Sequence, residues 1–218
     1  MFRMLVWVSM VSLPLAVSSF AEEPTVDQDG WISLFDGKSL YGWKVSDFAG
    51  HAEPRVEEGR IILPFGSEMT GVTYVGKHLL KNDYEVELDA QRVDGTDFFC
   101  ALTFPVKEDP CTLVCGGWGG GVVGLSSING MDASENATSS YREFKKGQWY
   151  HIRVKVAGGR IQAWIDKDQV VDFEIRDHKI SIRSEVELSK PLGIATWCTT
   201  GAVKDIRLRP VKAEEAKP

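Results

Sequence analysis

The sequence predicts an all-β protein built as a sandwich or jelly roll. Apolar and polar residues alternate with period two through most segments after Glu22, which is typical of half-buried strands. Turn signals recur about every 8 to 12 residues. No stretch of about 11 residues keeps a helical period, and the capping-box pattern Asp132–Glu135 indicates a single helical turn at most.

Individual strands follow from this periodicity. In Asp83–Ala90 the even positions are apolar and the odd ones acidic, whereas Asp97–Val106 is apolar on both faces and is expected in the middle of a sandwich. The pair Gly158-Gly159 predicts a hairpin turn between two alternating segments. The predicted strands of the second half are Trp149–Val156, Arg160–Asp166, Val170–Ile175, Pro191–Trp197 and Val203–Leu208.

Composition limits the function. The 218 residues carry a net charge of −6, and 43% of them are hydrophobic, so the chain is a globular domain whose charge disfavours nucleic-acid binding. One domain is expected for this length. Beyond the N-terminus no apolar run reaches the roughly 18 residues that a membrane span requires.

The N-terminus predicts export. Arg3 precedes an apolar stretch that ends in the small-x-small pattern Ser19-Phe20-Ala21, so residues 1–21 are interpreted as a cleaved signal peptide. We therefore expect a periplasmic or extracellular protein with a short N-terminal segment at 22–30, a domain at 31–211 and a flexible tail at 212–218. Export permits disulfides, but neither the pairing nor a choice between buried thiols and one local bridge follows from the sequence for its four cysteines, Cys100, Cys111, Cys115 and Cys198.

Several segments resemble one known family. Trp31–Trp43 resembles the opening "LFDGKSLDGW" block of the 3-keto-disaccharide hydrolase domain family, a group of exported bacterial proteins. Later blocks also resemble it in order, namely Val56–Ile61, Asn82–Val86, Gly147–Ile152 with Ile161–Asp166, and Leu192–Ile194 with Val203–Leu208.

The resemblance implies a concanavalin A-like lectin/glucanase jelly-roll sandwich of two antiparallel sheets, whose concave face takes carbohydrate. It also implies cleavage of 3-keto-glycosides, because a ketone at C3 acidifies the C2 proton and allows the group at C1 to leave. Many members use a divalent metal ion; the residues themselves identify no certain cofactor and leave the metal ligands unknown. The expected partner is an oligosaccharide or 3-keto-glycoside.

The sequence departs from the family in two places. Cys111–Gly121 stands where many members carry a "YExQI" strand, and Thr196–Thr200 stands where relatives often have a histidine. A non-catalytic carbohydrate-binding module of the same fold is therefore the alternative to an enzyme. An envelope protein that only binds another protein is a third hypothesis.

Candidate site residues come from the unusual segments. The glycine run around Trp118 suits an indole platform for a sugar ring, although a bulged strand that packs Trp118 into the core is equally compatible. The polar loop 126–142 offers Asp132 and Glu135 as a base or oxygen ligand and Arg142 as a cation, with a solvated, self-capped loop as the alternative. Further substrate-binding candidates are Asp97, Ser127, Asn136 and Glu57, of which Asp97 and Glu57 could equally cap turns.

Other chemistries are weaker. Glu85, Glu87 and Asp89 share one strand face, as catalytic carboxylates of retaining glucanases do, but a solvent-facing strand gives the same pattern. The four histidines lack the spacing of a zinc site. The glycine run lacks the Lys-Ser/Thr of a phosphate-binding loop.

Overall fold

The computed structural model describes residues 26–211, and the predicted signal peptide and C-terminal tail lie outside this range. It confirms the all-β prediction. One short 3-10 helix, Ser184–Ser189, accompanies the strands among the described residues. The strands are β1 (Ile32–Ser33), β2 (Trp43–Val45), β3 (Arg55–Glu57), β4 (Arg60–Leu63), β5 (Met69–Tyr74), β6 (Tyr84–Gly95), β7 (Cys100–Val106), β8 (Asp109–Gly117), β9 (Val122–Ser126), β10 (Ser140–Tyr141), β11 (Trp149–Ala157), β12 (Arg160–Ile165), β13 (Asp168–Glu174), β14 (Gly193–Trp197) and β15 (Thr199–Pro210).

The strands form two antiparallel sheets. Sheet A has the order β13-β12-β11-β6-β15-β4-β3, and β1 also pairs with β15. Sheet B has the order β10-β9-β8-β7-β14-β5-β2. Neighbours in each sheet are often distant in sequence, as expected for a jelly roll.

The core lies between the sheets and follows the alternation of the sequence. On β6 the even residues Tyr84 to Ala90 are fully buried, and on β11 the inward residues Tyr150 to Val156 are buried while His151 faces outward. Because side chains alternate across a strand, each sheet presents its other residues to its outer face.

The outer face of sheet B is partly covered, which explains why β7 is apolar on both sides. The segment 176–190 crosses this face, and the Thr73 hydroxyl donates a hydrogen bond to the carbonyl of Leu188 at 2.7 Å. From the 3-10 helix, Val186 packs against Phe48, Met69 and Ala195 in a second apolar cluster. The sequence did not predict this helix. At Asp132–Glu135 the carbonyl of Asp132 accepts hydrogen bonds from the amides of Glu135 at 2.9 Å and Asn136 at 3.1 Å, which form the single turn that the sequence predicted.

All four cysteines are free thiols in the structure. Cys100, Cys111 and Cys115 are buried between the sheets, and Cys198 is half-buried. Among the described residues, no helix has the length and apolarity needed to cross a membrane.

Candidate functional site

A groove lies on the outer face of sheet B, beside the segment that crosses it. Its volume is about 220 Å³, which is below the range of about 300–1,000 Å³ typical of drug-sized ligands and suits a single sugar unit. The floor consists of side chains that alternate outward from the core, and the walls carry aromatic and charged side chains. The lining residues are Met69, Asp97, Phe98, Ala101, Thr112, Val114, Trp118, Ser126, Arg183, Glu185, Val186 and Trp197.

Three aromatic side chains line the groove. Trp118 is 44% exposed and projects from the turn between β8 and β9, so the structure places it at a surface and outside the core. Phe98 and Trp197 are half-buried, with ring centroids 6.4 Å apart. Sequence reasoning missed Trp197 as a site residue, although it noted that Thr196–Thr200 differs from relatives.

The loop that carries Trp118 is held from inside by Arg92. The buried Arg92 guanidinium donates to the carbonyls of Gly120 at 2.9 Å, Asp97 at 3.0 Å and Gly116 at 3.2 Å. A Cβ at Gly116 would collide with Nη2 of Arg92, so glycine is required there. Burial lowers the pKa of Arg92.

Asp97 lies beside this loop and borders the groove. Its Oδ2 accepts a hydrogen bond from the amide of Gly119 at 3.0 Å, and its Oδ1 accepts one from the amide of Phe98 at 2.8 Å. Asp97 therefore caps a turn, which is one of its two predicted roles, and it also lines the groove. A carboxylate has about four lone-pair sites, so two amide donors leave others for a ligand.

A second set of charges enters the groove from the segment 176–190. Arg183 donates from Nη2 to Oε1 of Glu185 at 2.6 Å and from Nη1 to Asp132. The hydrogen bond from Arg183 lowers the pKa of Glu185 to about 2, and the same pair raises the pKa of Arg183. Asp132 thus reaches the groove only through Arg183.

Arg183 and Glu185 were missed by sequence reasoning, since the segment that carries them shows no strand or helix period. Their i, i+2 spacing of opposite charges was the only available signal, and it is common in solvated loops.

The structure does not bring the other predicted residues into the groove. Glu135 is exposed, and Glu57 pairs with Arg55 on strand β3 of sheet A. Arg142 pairs with Asp166 at 2.7 Å and Asp168 at 2.9 Å, so it ties the end of β10 to the turn between β12 and β13.

Ser127 and Asn136 are buried supports of the loop. Ser127 exchanges backbone hydrogen bonds with Ser181, and it is the neighbouring Ser126 that lines the groove. The Asn136 amide donates to the carbonyl of Leu125 at 2.7 Å, and its oxygen accepts from the hydroxyl of Thr138 at 2.6 Å. These contacts are the self-capping of the loop that was the alternative to a binding role.

The carboxylates of β6 lie on the outer face of sheet A, on the other side of the sandwich. Glu85 pairs with Arg209 and Glu87 with Arg207, so both are neutralised by cations on β15. Burial opposes ionisation of Glu87, but hydrogen bonds from His151 and Arg207 lower its pKa overall. Asp89 accepts a hydrogen bond from His151 at 2.9 Å, and the hydrogen bonds to Asp89 and Glu87 raise the pKa of His151 to about 9. The row is an ion-pair network of sheet A and contributes nothing to the groove.

A divalent metal does not fit the groove as it stands. Among residues 26–211, no group of three His, Cys, Asp or Glu side chains is arranged to hold a metal ion. Glu185 and Asp132 already bind Arg183, which leaves Asp97 without a second carboxylate that could share a metal ion in the groove. We therefore assign no step of the chemistry to a metal.

Two antiparallel sheets with an aromatic groove on one outer face define a jelly-roll domain of the kind found in lectins and glycosyl hydrolases. Residues 30–209 match the family of the 3-keto-alpha-glucoside-1,2-lyase-like domain, and the chain belongs to this 3-keto-disaccharide hydrolase family. The resemblance of the opening block is thereby confirmed.

Solved structures of similar fold include carbohydrate-recognition proteins. A mutant form of the Emp46p carbohydrate recognition domain has a TM-score of 0.57 at 13% identity, over 83% of this chain and 95% of that one. Carbohydrate binding module CBM66 from Bacillus subtilis has a TM-score of 0.51 at 16% identity, over 77% and 95%. A Crh5 transglycosylase in complex with NAG has a TM-score of 0.57 at 10% identity, over 84% and 85%. These likenesses show the fold. No curated protein matches the chain by sequence.

Proposed function

We propose that the protein binds a glycoside in the groove of sheet B and cleaves 3-keto-glycosides there by elimination. The observation that carries the proposal is the convergence of Trp118, Phe98 and Trp197 on a space that also exposes Asp97 and Arg183. An apolar sugar face stacks on aromatic rings, and charged groups at the rim fix the orientation of its oxygens.

Asp97 is the candidate base. Its carboxylate would take the proton from C2 of the 3-keto-glycoside, and the electron pair of that bond would move to the C3 oxygen as an enolate. When the enolate collapses, a C1–C2 double bond forms, the C1–O bond breaks, and the aglycone leaves with the proton returned by Asp97. Elimination of this kind needs no nucleophile and no oxidant, so one base and one group that stabilises the enolate are sufficient.

Arg183 is the candidate group for the enolate oxygen. A guanidinium has five N–H donors, and each of its three nitrogens already directs a hydrogen bond to Glu185 or Asp132. The remaining donors are available for the keto oxygen, where negative charge develops during proton removal.

The test is release of 4-nitrophenol from 4-nitrophenyl 3-keto-glucoside. The wild-type protein should release it, and Asp97→Asn should lower kcat by about 100-fold, the typical contribution of a general base. Glu57→Gln, which changes an exposed carboxylate on sheet A, is the matched control and should keep the wild-type rate. Equal rates for the wild type and Asp97→Asn would exclude Asp97 as the base.

The second candidate is a non-catalytic carbohydrate-binding module. It is favoured by the low pKa of Glu185, about 2, which makes that carboxylate a poor proton carrier, and by the apolar floor. Saturable sugar binding without release of the aglycone would establish this function in place of the enzyme.

A further inference from the structure

Arg183 is the one cationic side chain among the described residues that line the groove. It is already shared by two carboxylates, since Nε and Nη2 face Glu185 at 3.3 and 2.6 Å and Nη1 faces Asp132. The groove lining therefore contains one positive charge, Arg183, and two negative charges, Asp97 and Glu185. Asp132, which pairs with Arg183, adds a third negative charge.

We propose that the groove selects neutral sugars over uronic acids and that Glu185 is the residue that sets this specificity. The inference rests on the proposed function, because it names the chemical class of glycoside that the same groove takes. An unpaired arginine in a sugar-binding site can bind the carboxylate of a uronic acid through two parallel N–H donors. In this groove Glu185 already accepts hydrogen bonds from those two donors of Arg183, Nε and Nη2.

A uronic acid would place a further carboxylate beside this cluster. Like charges brought together without a free cation oppose binding, whereas a hydroxymethyl group at the same position adds no charge. The remaining N–H donors of Arg183 still serve neutral oxygens such as a ketone or hydroxyl. Charge, and not size, then separates the two ligands.

The solvent exposure of Arg183 and Glu185 determines how strongly the groove should repel a uronic acid. The side chains of Arg183 and Glu185 are 41% and 43% exposed, so water screens part of the repulsion. We expect the neutral sugar to bind about tenfold more tightly than its uronic counterpart, and this preference should shrink as salt is added.

The experiment compares 4-nitrophenyl glucoside with 4-nitrophenyl glucuronide, which differ only at C6 and lack the C3 ketone, so that elimination cannot consume them during the titration. Their dissociation constants are measured by titration calorimetry on the wild type and on Glu185→Gln, whose amide keeps the shape of the side chain but removes its charge. The variant should reduce the preference for the neutral ligand about tenfold, because the cluster around the guanidinium loses one negative charge.

Glu187→Gln is the matched control, since Glu187 lies in the same 3-10 helix, pairs with Lys190 and does not line the groove. It should keep the wild-type preference. Equal or tighter binding of the glucuronide by the wild type, or an unchanged preference in Glu185→Gln, would overturn the specificity proposal alone. Failure of both ligands to bind would overturn the proposed function together with it.

Discussion

Trp118 is the residue on which the proposed sugar binding would depend most directly. It is a large side chain in the left-handed backbone region, with φ of 49°, and 44% of it is exposed. Bulky residues rarely adopt this conformation, and exposed indoles contribute little to the core, so stability does not explain its presence. The proposed role as a platform for a sugar ring would explain it.

We therefore expect Trp118→Ala to lower affinity for the neutral glycoside about tenfold, or by about 1.4 kcal/mol. Its melting temperature should stay close to that of the wild type, because the indole belongs to neither of the two apolar core clusters. Tyr41→Ala, which removes an exposed aromatic outside the groove lining, serves as the control and should bind normally. A lowered melting temperature with unchanged affinity would assign the indole to the fold.

His151 should make stability depend on pH on the alkaline side. Hydrogen bonds to Asp89 and Glu87 raise its pKa to about 9 in the folded protein, against an ordinary value of 6.5. A raised pKa means that the folded state binds the proton more tightly than the unfolded state. The contribution of protonated His151 to the free energy of unfolding is therefore complete below about pH 6.5 and disappears as the pH rises to about 9.

The measurement is urea unfolding of the wild type and of His151→Gln across this window. The wild-type free energy of unfolding should decrease from about pH 6.5 to about pH 9 more steeply than that of the variant. Parallel curves would show that the imidazole gains no proton affinity on folding.

The conformation of the loop between β8 and β9 is stabilised by a side chain from strand β6. Arg92 extends from β6 of sheet A and binds carbonyls of the loop in sheet B, so the position of Trp118 is fixed from the opposite sheet. The Arg92 guanidinium also donates a hydrogen bond to the carbonyl of Phe144 at 3.2 Å, so it connects the segment before β11 to the loop as well.

Arg92→Met should destabilise the protein by about 2–4 kcal/mol, since several buried carbonyls lose a charged donor. The amides of Gly120 and Gly121, which bond to the carbonyl of Gly117, should exchange hydrogen faster than in the wild type. Arg176→Met removes an arginine that is 80% exposed and should change neither measurement. Slow exchange of both amides in Arg92→Met would show that the loop holds its shape unaided.

The position of the segment 176–190 is the part of the fold that could not be predicted from the sequence. It forms a groove wall through contacts with distant residues, such as the hydrogen bond between Thr73 and Leu188, separated by 115 positions. Such contacts leave no period in the local sequence, so Arg183 and Glu185 could not be placed. In contrast, Asp97 was identifiable because it stands at the start of a segment that is apolar on both faces, and such a segment indicates the middle of a sheet, where the structure has β7 (Cys100–Val106).

At the scale of the whole molecule, the alternation of the sequence predicted the sandwich because burial between two sheets imposes period two on every strand. The same alternation placed Glu85 and Glu87 on an outer face but could not say which sheet they belonged to. Only the strand order shows that they lie across the sandwich from Trp118, next to Arg209 and Arg207 of β15.

The cysteines test how tightly the two sheets pack. Cys100, Cys111 and Cys115 are buried in the core between the sheets, and burial raises the pKa of Cys111 to about 12. A hydrogen bond with Cys100, together with burial, also raises the pKa of Cys115. These thiols should be inert in the folded state, because the thiolate is the reactive form and no reagent reaches them.

Under native conditions we expect a thiol reagent to label Cys198 alone, and the other three should react together at a rate set by global unfolding, since all three belong to one core. Mass spectrometry of labelled peptides along a urea gradient measures this directly. Cys198→Ser is the control and should show no fast-reacting thiol. If Cys100 or Cys115 reacted well before Cys111, β7 and β8 would open locally at the groove end, and the floor beneath the ligand would not be rigid.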